Sequence, residues 1–380
     1  RTATADPGGI SIMILKHLSI LNYKNLAQVE LELSPKINCF VGNNGMGKTN
    51  LLDAVYYLSF CRSYTNPIDS QIIKHDADVC MLQGKYGIEG QEREEEIYCG
   101  LRRRQKKQFK RNKKEYEKLS DHIGFIPLVM ISPADIGIIQ GGSEERRKFM
   151  DMAISQFDKE YMYALIRYNN ALQQRNATLK MDDNEIDFTL LELWEDQMAR
   201  DGELIFEKRQ TFVKEFIPVF DEFYKKISLS NEKATFDYIS QLRENNFREA
   251  LRQARRRDIA VGHTTTGVHR DELEMLLDGF PIKKVGSQGQ NKTYFVSMKL
   301  AQFHYLLKTG KRTPILLLDD IFDRLDANRV EEIVKLVSSE DFGQIFISDT
   351  NRESFDNILE RINNSHHIYS VENGEINASR

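Results

Sequence analysis

The sequence of 380 residues lacks several features that would assign it to a class at once. No apolar run approaches the roughly 20 residues that a membrane-spanning helix requires, so residence in a bilayer is not expected. No internal repeat and no low-complexity segment is found, so nothing indicates a solenoid or a compositionally biased chain. With 41% hydrophobic and 29% charged residues, the chain is typical of a soluble globular protein with two or three domains.

Cysteine is scarce and shows no metal-binding or redox spacing. The four cysteines, Cys39, Cys61, Cys80 and Cys99, are 19 to 22 residues apart and form no C-x-x-C pair. This spacing favours buried free thiols in a reducing compartment, and we therefore expect a cytoplasmic protein.

The chain also lacks the net positive charge of many nucleic-acid-binding proteins, since its formal net charge is −4. Two local clusters are basic all the same: residues 102–114 carry nine basic residues and no acidic one, and Arg252 lies close to residues 255–257. Such a run is usually a solvated face, and contact with DNA phosphates is the alternative. The candidate DNA contacts are Arg102, Arg103, Arg104, Lys106, Lys107, Lys110, Arg111, Lys113, Lys114, Arg255, Arg256 and Arg257.

The most informative feature that is present is a phosphate-binding loop, the Walker A motif. Residues 42–49 (GNNGMGKT) match the pattern G-x-x-x-x-G-K-[ST] at every fixed position. The preceding residues 37–41 are predicted to form a buried strand and residues 50–60 a helix, which is the context that this motif needs. The cofactor-binding candidates here are Gly42, Asn43, Asn44, Gly45, Met46, Gly47, Lys48, Thr49 and Asn50.

The chemistry of this loop follows from its backbone. Glycine permits conformations in which consecutive N–H groups point inward, and the N-terminus of the following helix adds partial positive charge. Lys48 is predicted to contact the β- and γ-phosphates of a nucleoside triphosphate. The hydroxyl of Thr49 is predicted to bind Mg²⁺.

A second acidic element lies some 270 residues further along. Residues 315–318 (ILLL) are typical of a strand that is buried on both faces of a parallel sheet. Asp319 and Asp320 follow at its C-terminal end, which is the ligand edge of such a sheet. Asp319 is predicted to lie on the Mg²⁺ side, and Asp320 is predicted to orient or deprotonate the attacking water.

A third element combines glycine, serine and glutamine. Residues 286–290 (GSQGQ) open a helix that is predicted to run to about residue 307 and to end before Gly310. Ser287 and the neighbouring N–H groups would then lie at a helix N-terminus, where anions bind. A plain N-capping serine is the alternative. Ser287, Gly289 and Gln290 are the candidates here.

The order of these motifs, with LDANR around Asp326 after LLLDD, resembles the ABC-type ATPases. GSQGQ is similar to the signature motif of that class, and Asp326 lies in the position of its D-loop. Within the class the chain resembles the RecF family of DNA-repair ATPases, which are related to SMC heads, from Met13 to the C-terminus. The other stretches that carry this resemblance are residues 21–25, 132–136, 146–151 and 267–271.

The resemblance implies a function in recombinational repair. It implies an ATP-dependent homodimer in which Ser287 of one copy meets the phosphate that Lys48 of the other holds. By the same resemblance, ATP, Mg²⁺, Asp320, Lys48 and Ser287 would support slow hydrolysis. The dimer would bind double-stranded DNA near single-stranded gaps, with RecR and RecO, and help to load RecA. An SMC-like structural head and a transporter ATPase subunit are the alternatives.

The sequence departs from these families at several positions. Asp323 and Arg324 replace the usual Ser-Glu of the D-loop, and Val268 stands where RecF proteins have proline. Asp349 follows the last core strand, where transporter-type ATPases have a switch histidine, which affects the expected hydrolysis rate more than ATP binding. Gln140 is one candidate for the Q-loop residue that senses Mg²⁺.

We therefore predict an α/β fold, an ABC-type P-loop ATPase head with a mixed or parallel sheet and an inserted α-helical arm. Residues 13–140 and 263–380 are expected to form the head, and residues 141–262 the arm, with helical pattern over residues 190–216 and an interruption at Pro218. Residues 1–12 are expected to be a remnant ahead of a native start near Met13, and the tail after Asn373 to be frayed.

Overall fold

The computed structural model describes residues 10–89, 91–182, 185–243, 246–322, 325, 327–339, 342–350 and 365–379. The chain divides into two compact units. Unit 1 comprises Arg1–Asp135, Lys226–Ser228 and Lys299–Arg380, and unit 2 comprises Ile136–Lys225 and Leu229–Met298. Unit 1, which contains the phosphate loop, is therefore formed by separate parts of the chain.

The described helices and strands follow one another in this order. The first part of the chain forms β1 (Ser11–Tyr23), β2 (Leu26–Glu32), β3 (Ile37–Val41), α1 (Lys48–Phe60), α2 (Asp69–Ile72), β4 (Val79–Ile88), β5 (Glu95–Arg102), β6 (Gln108–Arg111), β7 (Lys114–Glu115) and β8 (Leu128–Ile131). The middle part forms α3 (Gly137–Gln140), α4 (Ser143–Ser155), α5 (Lys159–Thr178), α6 (Phe188–Ser228), β9 (Ala234–Ile239), α7 (Phe247–Val261), β10 (Glu272–Leu277), β11 (Phe280–Pro281) and α8 (Ile282–Val285). The last part forms α9 (Gln288–Thr309), β12 (Arg312–Thr313), β13 (Ile315–Asp319), α10 (Ala327–Val337), β14 (Ile345–Asp349), β15 (His366–Glu372) and β16 (Glu375–Ser379).

The first sheet of unit 1 carries the phosphate loop. In the described ranges its strand order is β16-β15-β3-β14-β13-β8, and all neighbours are parallel except β15 and β16. All five residues of β13 and of β14 are buried, because helices or a second sheet cover both faces of a parallel sheet. This confirms the predicted strands at residues 37–41 and 315–318 and the core strand predicted before Asp349.

Helix α1 is buried on every side. All its residues from Leu51 to Phe60 are buried, and the helix contacts β13 and β14 of the first sheet as well as β1, β4 and β5. A helix that is apolar all round is stable only inside a core. The packing therefore fixes the start of α1, and with it the phosphate loop, between two sheets.

The second sheet of unit 1 is mostly antiparallel. Its order in the described ranges is β12-β1-β4-β5-β6-β7, with β2 also paired to β1. The basic run lies on the successive hairpins of β5, β6 and β7. The turn between β6 and β7 places Asn112 and Lys113 at φ values of 49° and 68°, as a two-residue hairpin turn requires.

Both ends of the described chain are more ordered than the sequence pattern indicates. Ser11 and Ile12, expected to precede the fold, pair in parallel with Arg312 and Thr313. The segment after Asn373, expected to be frayed, forms β16, which pairs with β15 from Glu375 to Ser379. Neither segment has a strong hydrophobic pattern of its own in the sequence. Ser11 and Ile12 join a sheet by pairing with a distant segment, and β16 joins by pairing with β15 across a tight turn.

Unit 2 contains a sheet as well as helices. In its described ranges β9, β10 and β11 form an antiparallel sheet in the order β11-β10-β9. The unit therefore continues past residue 262, the predicted end of the arm, to Met298. Unit 2 extends beyond residue 262 because β10 (residues 272–277) pairs with β9, which belongs to the segment predicted as the arm.

Helix α6 continues through Pro218, where the sequence predicts an interruption. A proline inside a helix removes a hydrogen bond and costs about 3 kcal/mol. On either side of it, Phe212, Phe216 and Phe220 stack one turn apart, with ring centroids 5.1 and 6.4 Å apart, and all three are buried. Burial of such side chains contributes roughly 1.5–3 kcal/mol each, enough to offset the proline.

A buried ionic network holds unit 2 together around Arg209 of α6. The guanidinium donates to Asp151 at 2.9 Å, to Asp271 at 3.0 Å and to the Tyr161 hydroxyl at 3.0 Å. Asp271 also accepts from the Tyr238 hydroxyl at 2.5 Å. The stretches 146–151 and 267–271, which carry the resemblance to the RecF family, thus both contact Arg209, which lies outside either stretch.

We expect Arg209→Met to destabilise the protein by about 3–5 kcal/mol, because the substitution leaves buried carboxylates without their cation. Urea unfolding followed by circular dichroism measures this. The matched control is Arg200→Met, an exposed position on the same helix, where a change within about 0.5 kcal/mol is expected. Equal effects of the two variants would contradict a stabilising role for the network.

Candidate functional site

The phosphate loop connects β3 to α1 in a conformation that depends on glycine. Gly45 and Gly47 have φ values of 80° and 117°, which side-chain-bearing residues rarely adopt. A Cβ atom at Gly42 would lie 2.2 Å from the carbonyl oxygen of Val371 in β15. Asn43, Asn44 and Gly45 are exposed at the loop tip.

Lys48 lies inside the loop at the start of α1. Its side chain is buried, with 6% of the residue exposed, and its ammonium donates to the carbonyl oxygens of Gly42 at 2.5 Å and Asn43 at 2.9 Å. Burial lowers the pKa of Lys48, while the nearby carboxylates of Asp320, Asp319 and Asp349 act in the opposite direction. An anion in the loop would exchange carbonyl contacts for charge-assisted hydrogen bonds.

Thr49 and Asp319 are 270 residues apart in the chain and adjacent in the site. The Thr49 hydroxyl donates to the two carboxylate oxygens of Asp319 at 2.9 and 3.1 Å. Ser348 of β14 donates to the same carboxylate at 2.7 Å, and Ser132, just after β8, at 3.3 Å. The carboxylate is thereby fixed at the C-terminal edge of the parallel sheet. Sequence reasoning did not identify Ser132 and Ser348 as its supports.

These oxygens suit Mg²⁺, which binds hard oxygen ligands and keeps several of its waters. Thr49 and Asp319 would hold it. Among the described residues, no group of three or more His, Cys, Asp or Glu side chains could hold a metal ion. Phosphate oxygens and water commonly complete the coordination of Mg²⁺ in such sites.

Asp320 follows β13 with a backbone φ of 49°, in the left-handed region. Its N–H donates to both the carbonyl and the hydroxyl oxygen of Ser348 at 3.1 Å. A non-glycine residue in this conformation is uncommon and occurs often at functional sites. The next strand in the sheet thus fixes the backbone of Asp320.

Asp349, at the end of β14, lies in the site, whereas the sequence indicates it only as the residue in place of a switch histidine. It is buried, its carbonyl accepts the N–H of Gly42 at 3.3 Å, and its carboxylate contributes to the field at Lys48. The feature of the sequence that indicates a role in the site is the position of Asp349 at the end of a predicted core strand.

Two further segments border the phosphate loop. Asn50 donates to the side chain of Asn25 at 2.7 Å, and the N–H of Gly374, in the β15–β16 turn, donates to the carbonyl of Met46 at 2.9 Å. A cavity of about 400 Å³ opens beside the loop. It is lined by Val41, Gly42, Asn43, Met46, Thr350, Ile368, Ser370, Val371, Glu372 and Asn373.

In unit 2, Ser287 caps the N-terminus of α9. Its hydroxyl accepts the N–H of Gln290 at 3.2 Å, and the Gln290 side chain accepts the N–H of Ser287 at 2.8 Å, which is a reciprocal capping box. Gln290 also donates to Glu232 at 2.5 Å. Ser287 is exposed and Gly289 is half-buried. Ser287 therefore acts as an N-capping residue, which is the alternative stated for it from the sequence. Its hydroxyl oxygen accepts in this cap, and its hydroxyl hydrogen is not used.

Some predicted positions lie elsewhere. Asp326, the D-loop candidate, and its neighbours Asp323 and Arg324 lie outside the described residues. Gln140 is exposed at the end of α3 in unit 2.

The basic run on the β5–β7 hairpins separates into two groups. Arg103 donates to backbone carbonyls including that of Ala77 at 2.9 Å, and Lys107 donates to the carbonyl of Cys61 at 2.6 Å. Arg111 pairs with Glu95 at 2.8 Å, and the Lys110 ammonium lies 5.7 Å from the centre of the Tyr98 ring. The members that are exposed are Arg102, Arg104, Lys106, Lys113 and Lys114.

The second basic cluster, on α7 of unit 2, also divides. Arg255 pairs with Glu195 at 2.6 Å and with Glu192 at 3.2 Å. Arg256 and Arg257 are exposed. Arg255 thus stabilises the contact between α7 and α6, and its neighbours remain available to a ligand.

Comparisons with known proteins agree with this geometry. The family model described as RecF/RecN/SMC N terminal domain matches residues 14–377. The DNA replication and repair protein RecF of Phocaeicola vulgatus is 60% identical over 365 residues, covering 96% of this chain and 98% of that protein. The protein of the same name from Bacteroides thetaiotaomicron is 59% identical over the same length.

Solved structures show the same fold. A structure described as the recombination mediator protein RecF with ATP in the RecFOR pathway has a TM-score of 0.87 and 28% identity, covering 99% of this chain and all of that one. An Smc head domain from Pyrococcus furiosus has a TM-score of 0.58 at 17% identity, which supports the fold alone. No helix in the described part of the chain combines the length and apolarity needed to cross a membrane.

The sheet order, the phosphate loop and the Thr49–Asp319 contact define a P-loop ATPase head of the ABC and SMC-like class. That class contains several families with different partners. The similarity over nearly the whole length narrows the choice, and the chain belongs to the RecF family.

The loop geometry yields a stability prediction. Gly42→Ala is expected to cost about 3 kcal/mol, because the new methyl group meets a backbone oxygen rather than a mobile side chain. Gly45→Ala is expected to cost about 1 kcal/mol, from its left-handed conformation only, since a Cβ there would meet no described atom within 4 Å. Denaturant unfolding of both variants measures the difference, and a larger destabilisation at Gly45 would contradict the packing of the loop against β15.

Proposed function

We propose that this protein is an ATP-driven switch that closes on DNA during recombinational repair. The observation that carries the proposal is the pairing of Thr49 with Asp319 beside the buried ammonium of Lys48. This arrangement provides a phosphate-binding ammonium and adjacent Mg²⁺ ligands. The ATP reported for the solved RecF structure supports the choice of nucleotide.

The nucleotide would hold two copies of the chain together. Ser287 is exposed at the N-terminus of the 22-residue helix α9, where the helix dipole and the hydroxyl attract an anion. In the proposed homodimer, Ser287, Gly289 and Gln290 of one copy meet the γ-phosphate bound to Lys48 of the other, with two-fold symmetry.

The energy required is within reach of such contacts. Moving the monomer–dimer equilibrium from 1:99 to 99:1 needs about 5.5 kcal/mol of differential affinity. A hydrogen bond to a charged group contributes roughly 1.5–3 kcal/mol, and a symmetric dimer forms each contact twice. A few contacts to each γ-phosphate suffice, and hydrolysis releases the dimer because it removes them.

Hydrolysis in this proposal is slow and serves as a timer. Asp320 orients or deprotonates the attacking water, because it follows the Mg²⁺ ligand Asp319 and its backbone is fixed by Ser348. Asp349 stands where a histidine would sense the γ-phosphate in transporter-type enzymes, so the transition state receives less support.

DNA binding is assigned to the exposed basic side chains of the hairpins and of α7. In this proposal the ATP-bound dimer is a clamp on double-stranded DNA near single-stranded gaps. The clamp assists RecA loading together with RecO and RecR. The relatives are described as DNA replication and repair proteins, and a solved RecF structure as part of the RecFOR pathway. Contacts to phosphates make such binding independent of sequence and sensitive to salt.

The switch is tested with Asp320→Asn. We expect an ATP-bound dimer that persists with at least ten-fold slower phosphate release, because the binding contacts remain and the base is removed. Analytical ultracentrifugation with ATP, ADP and no nucleotide measures the dimer, and a phosphate-release assay measures turnover.

Lys48→Met is the control that removes a phosphate ligand, and it should abolish ATP-dependent dimerisation. Lys85→Met, at an exposed position on β4, should change neither measurement. Normal turnover in Asp320→Asn would assign the base to another residue, and a wild-type protein that stays monomeric in ATP would refute the composite site.

The DNA interface is tested by replacing Arg104, Lys106 and Lys113 with glutamine. Removing one interaction with a DNA phosphate should reduce the slope of log affinity against log salt by about 0.9 for duplex DNA. Fluorescence anisotropy with gapped duplex DNA in ATP, at several salt concentrations, measures both affinity and slope.

The matched control replaces Lys85, Lys308 and Lys311, which are exposed outside the basic run, and carries the same change in net charge. A weaker affinity with a flatter slope in the first variant alone is expected. Equal slopes in the two variants would show that the hairpin lysines and arginines are only a solvated face.

A further inference from the structure

A second cavity of unit 1 lies between the edges of its two sheets. It has a volume of about 430 Å³. Glu30 and Glu32 of β2, in the second sheet, form one side, and Ile376 and Ala378 of β16, in the first sheet, form the other. None of these four residues lines the cavity beside the phosphate loop. This cavity therefore has no part in the nucleotide site described above.

The backbone of β2 has a free edge on the side of the cavity. In the described ranges β2 pairs with β1 alone. The N–H of Leu33 donates to the carbonyl of Lys16 at 2.8 Å, and in an antiparallel ladder alternate residues direct their backbone groups to the partner. Glu30 and Glu32 are the intervening residues, so their N–H and C=O groups point outward. The Tyr369 hydroxyl of β15 donates to the carbonyl of Glu32, which places this edge toward the first sheet.

The backbone of β16 has a free edge as well. Among the described strands it pairs with β15 alone. The two residues of the turn between β15 and β16 have φ values of 50° and 83°, which is a tight two-residue hairpin closed by the hydrogen-bonded pair of Glu372 and Glu375. Ile376 and Ala378 alternate with such pairs and direct their N–H groups away from β15. The outward-facing residues of β16 are therefore the ones that line the cavity.

The two free edges meet at one end and border the cavity further along. A Cβ atom at Gly374, just before β16, would lie 2.4 Å from the carbonyl oxygen of Asn25, just before β2. The strands do not pair with each other in the part of the chain that the structure describes. A free edge is a template for an additional strand, and partner proteins use such edges by adding an extended segment.

The charge of the cavity selects the kind of segment. The side chains of Glu30 and Glu32 are 52% and 82% exposed. Their basic neighbour is His17, whose Nε2 lies 3.1 Å from Glu30 and 3.9 Å from Glu32, and a histidine is mostly neutral at pH 7. No lysine or arginine is among the described residues that line the cavity. The carboxylates favour a cationic segment, and they oppose both DNA and the β2 edge of a second copy.

We propose that this cavity is the docking site for an extended basic segment of a partner protein. The segment adds a strand to the free edge of β16 at Ile376 and Ala378, and its lysine or arginine side chains contact Glu30 and Glu32. Alternate side chains of a strand share one face, so a segment with a basic residue at every second position presents all its charges to one side. Nucleotide binding is not required for this contact.

The probe is a fluorescent peptide of about eight alternating lysine and valine residues, the length of an ordinary strand. The full chain is titrated without nucleotide, and fluorescence anisotropy measures the affinity at several salt concentrations. A peptide with glutamate in place of lysine is the control for charge. We expect saturable binding of the lysine peptide that weakens with salt, and at least ten-fold weaker binding of the glutamate peptide.

Two variants locate the peptide on the protein. Ala378→Pro removes the outward N–H without removing a hydrogen bond to β15, so we expect at least ten-fold weaker binding, whereas Ala378→Ser keeps the N–H and should stay within two-fold of wild type. Glu30→Gln combined with Glu32→Gln should weaken binding at least five-fold and flatten its salt dependence. Glu117→Gln, at an exposed position elsewhere in unit 1, should change neither.

Hydrogen exchange of the wild-type protein gives a readout that needs no variant. The peptide should slow amide exchange in residues 28–32 and 375–379, because the outward N–H groups of these strands become paired or covered. Protection confined to other residues would overturn the inference. So would the absence of saturable binding, equal binding of the two peptides, or wild-type affinity in Ala378→Pro.

Sedimentation of the protein without peptide or nucleotide tests the other occupant of this cavity, a second copy of the chain. We expect a monomer for the wild type and for Ala378→Pro. Self-association of the wild type that Ala378→Pro abolishes would assign the β16 edge to a second copy, and it would overturn the assignment to a basic segment of a partner.

Discussion

The hydrogen bonds to the Asp319 carboxylate are the constraint on which the site depends. A carboxylate that is 4% exposed is costly unless donors surround it, and Thr49, Ser348 and Ser132 provide hydroxyls from α1, β14 and the end of β8. The carboxylate therefore specifies which strand ends meet at the phosphate loop. The parallel order of β3, β14 and β13 brings these side chains to the same edge of the sheet.

The site has more carboxylates than ammonium groups, which favours an anion that arrives with a cation. Lys48 faces the carboxylates of Asp319, Asp320 and Asp349, and its ammonium binds the loop carbonyls of Gly42 and Asn43. A bare triphosphate would be repelled by the carboxylates, whereas a divalent cation beside Asp319 would offset their charge. For this reason a nucleotide is expected to bind here together with a metal ion.

Much of this could be predicted from the sequence, because the motifs are local. The phosphate loop, the strand before Asp319 and the capped helix after Ser287 each occupy consecutive residues with a clear pattern. The supporting residues could not be predicted, because their roles come from contacts across the chain. Ser132 and Ser348 are ordinary serines until β8 and β14 flank β13, and Arg209 is one charge among many on a helix until Asp151 and Asp271 surround it.

The partners of the basic residues could not be predicted from the sequence either. Composition gives the number of basic residues, whereas the contacts of each one depend on the fold. Sequence alone determined the chemistry of residues 42–49 and the parallel strand at 315–318, because glycine conformations and continuous aliphatic burial are local properties. Tertiary structure decided which basic side chains stay exposed, that α6 passes through Pro218, and that β16 and residues 11–12 join sheets. Those outcomes depend on the free energy of packing and pairing between distant segments, which no local pattern contains.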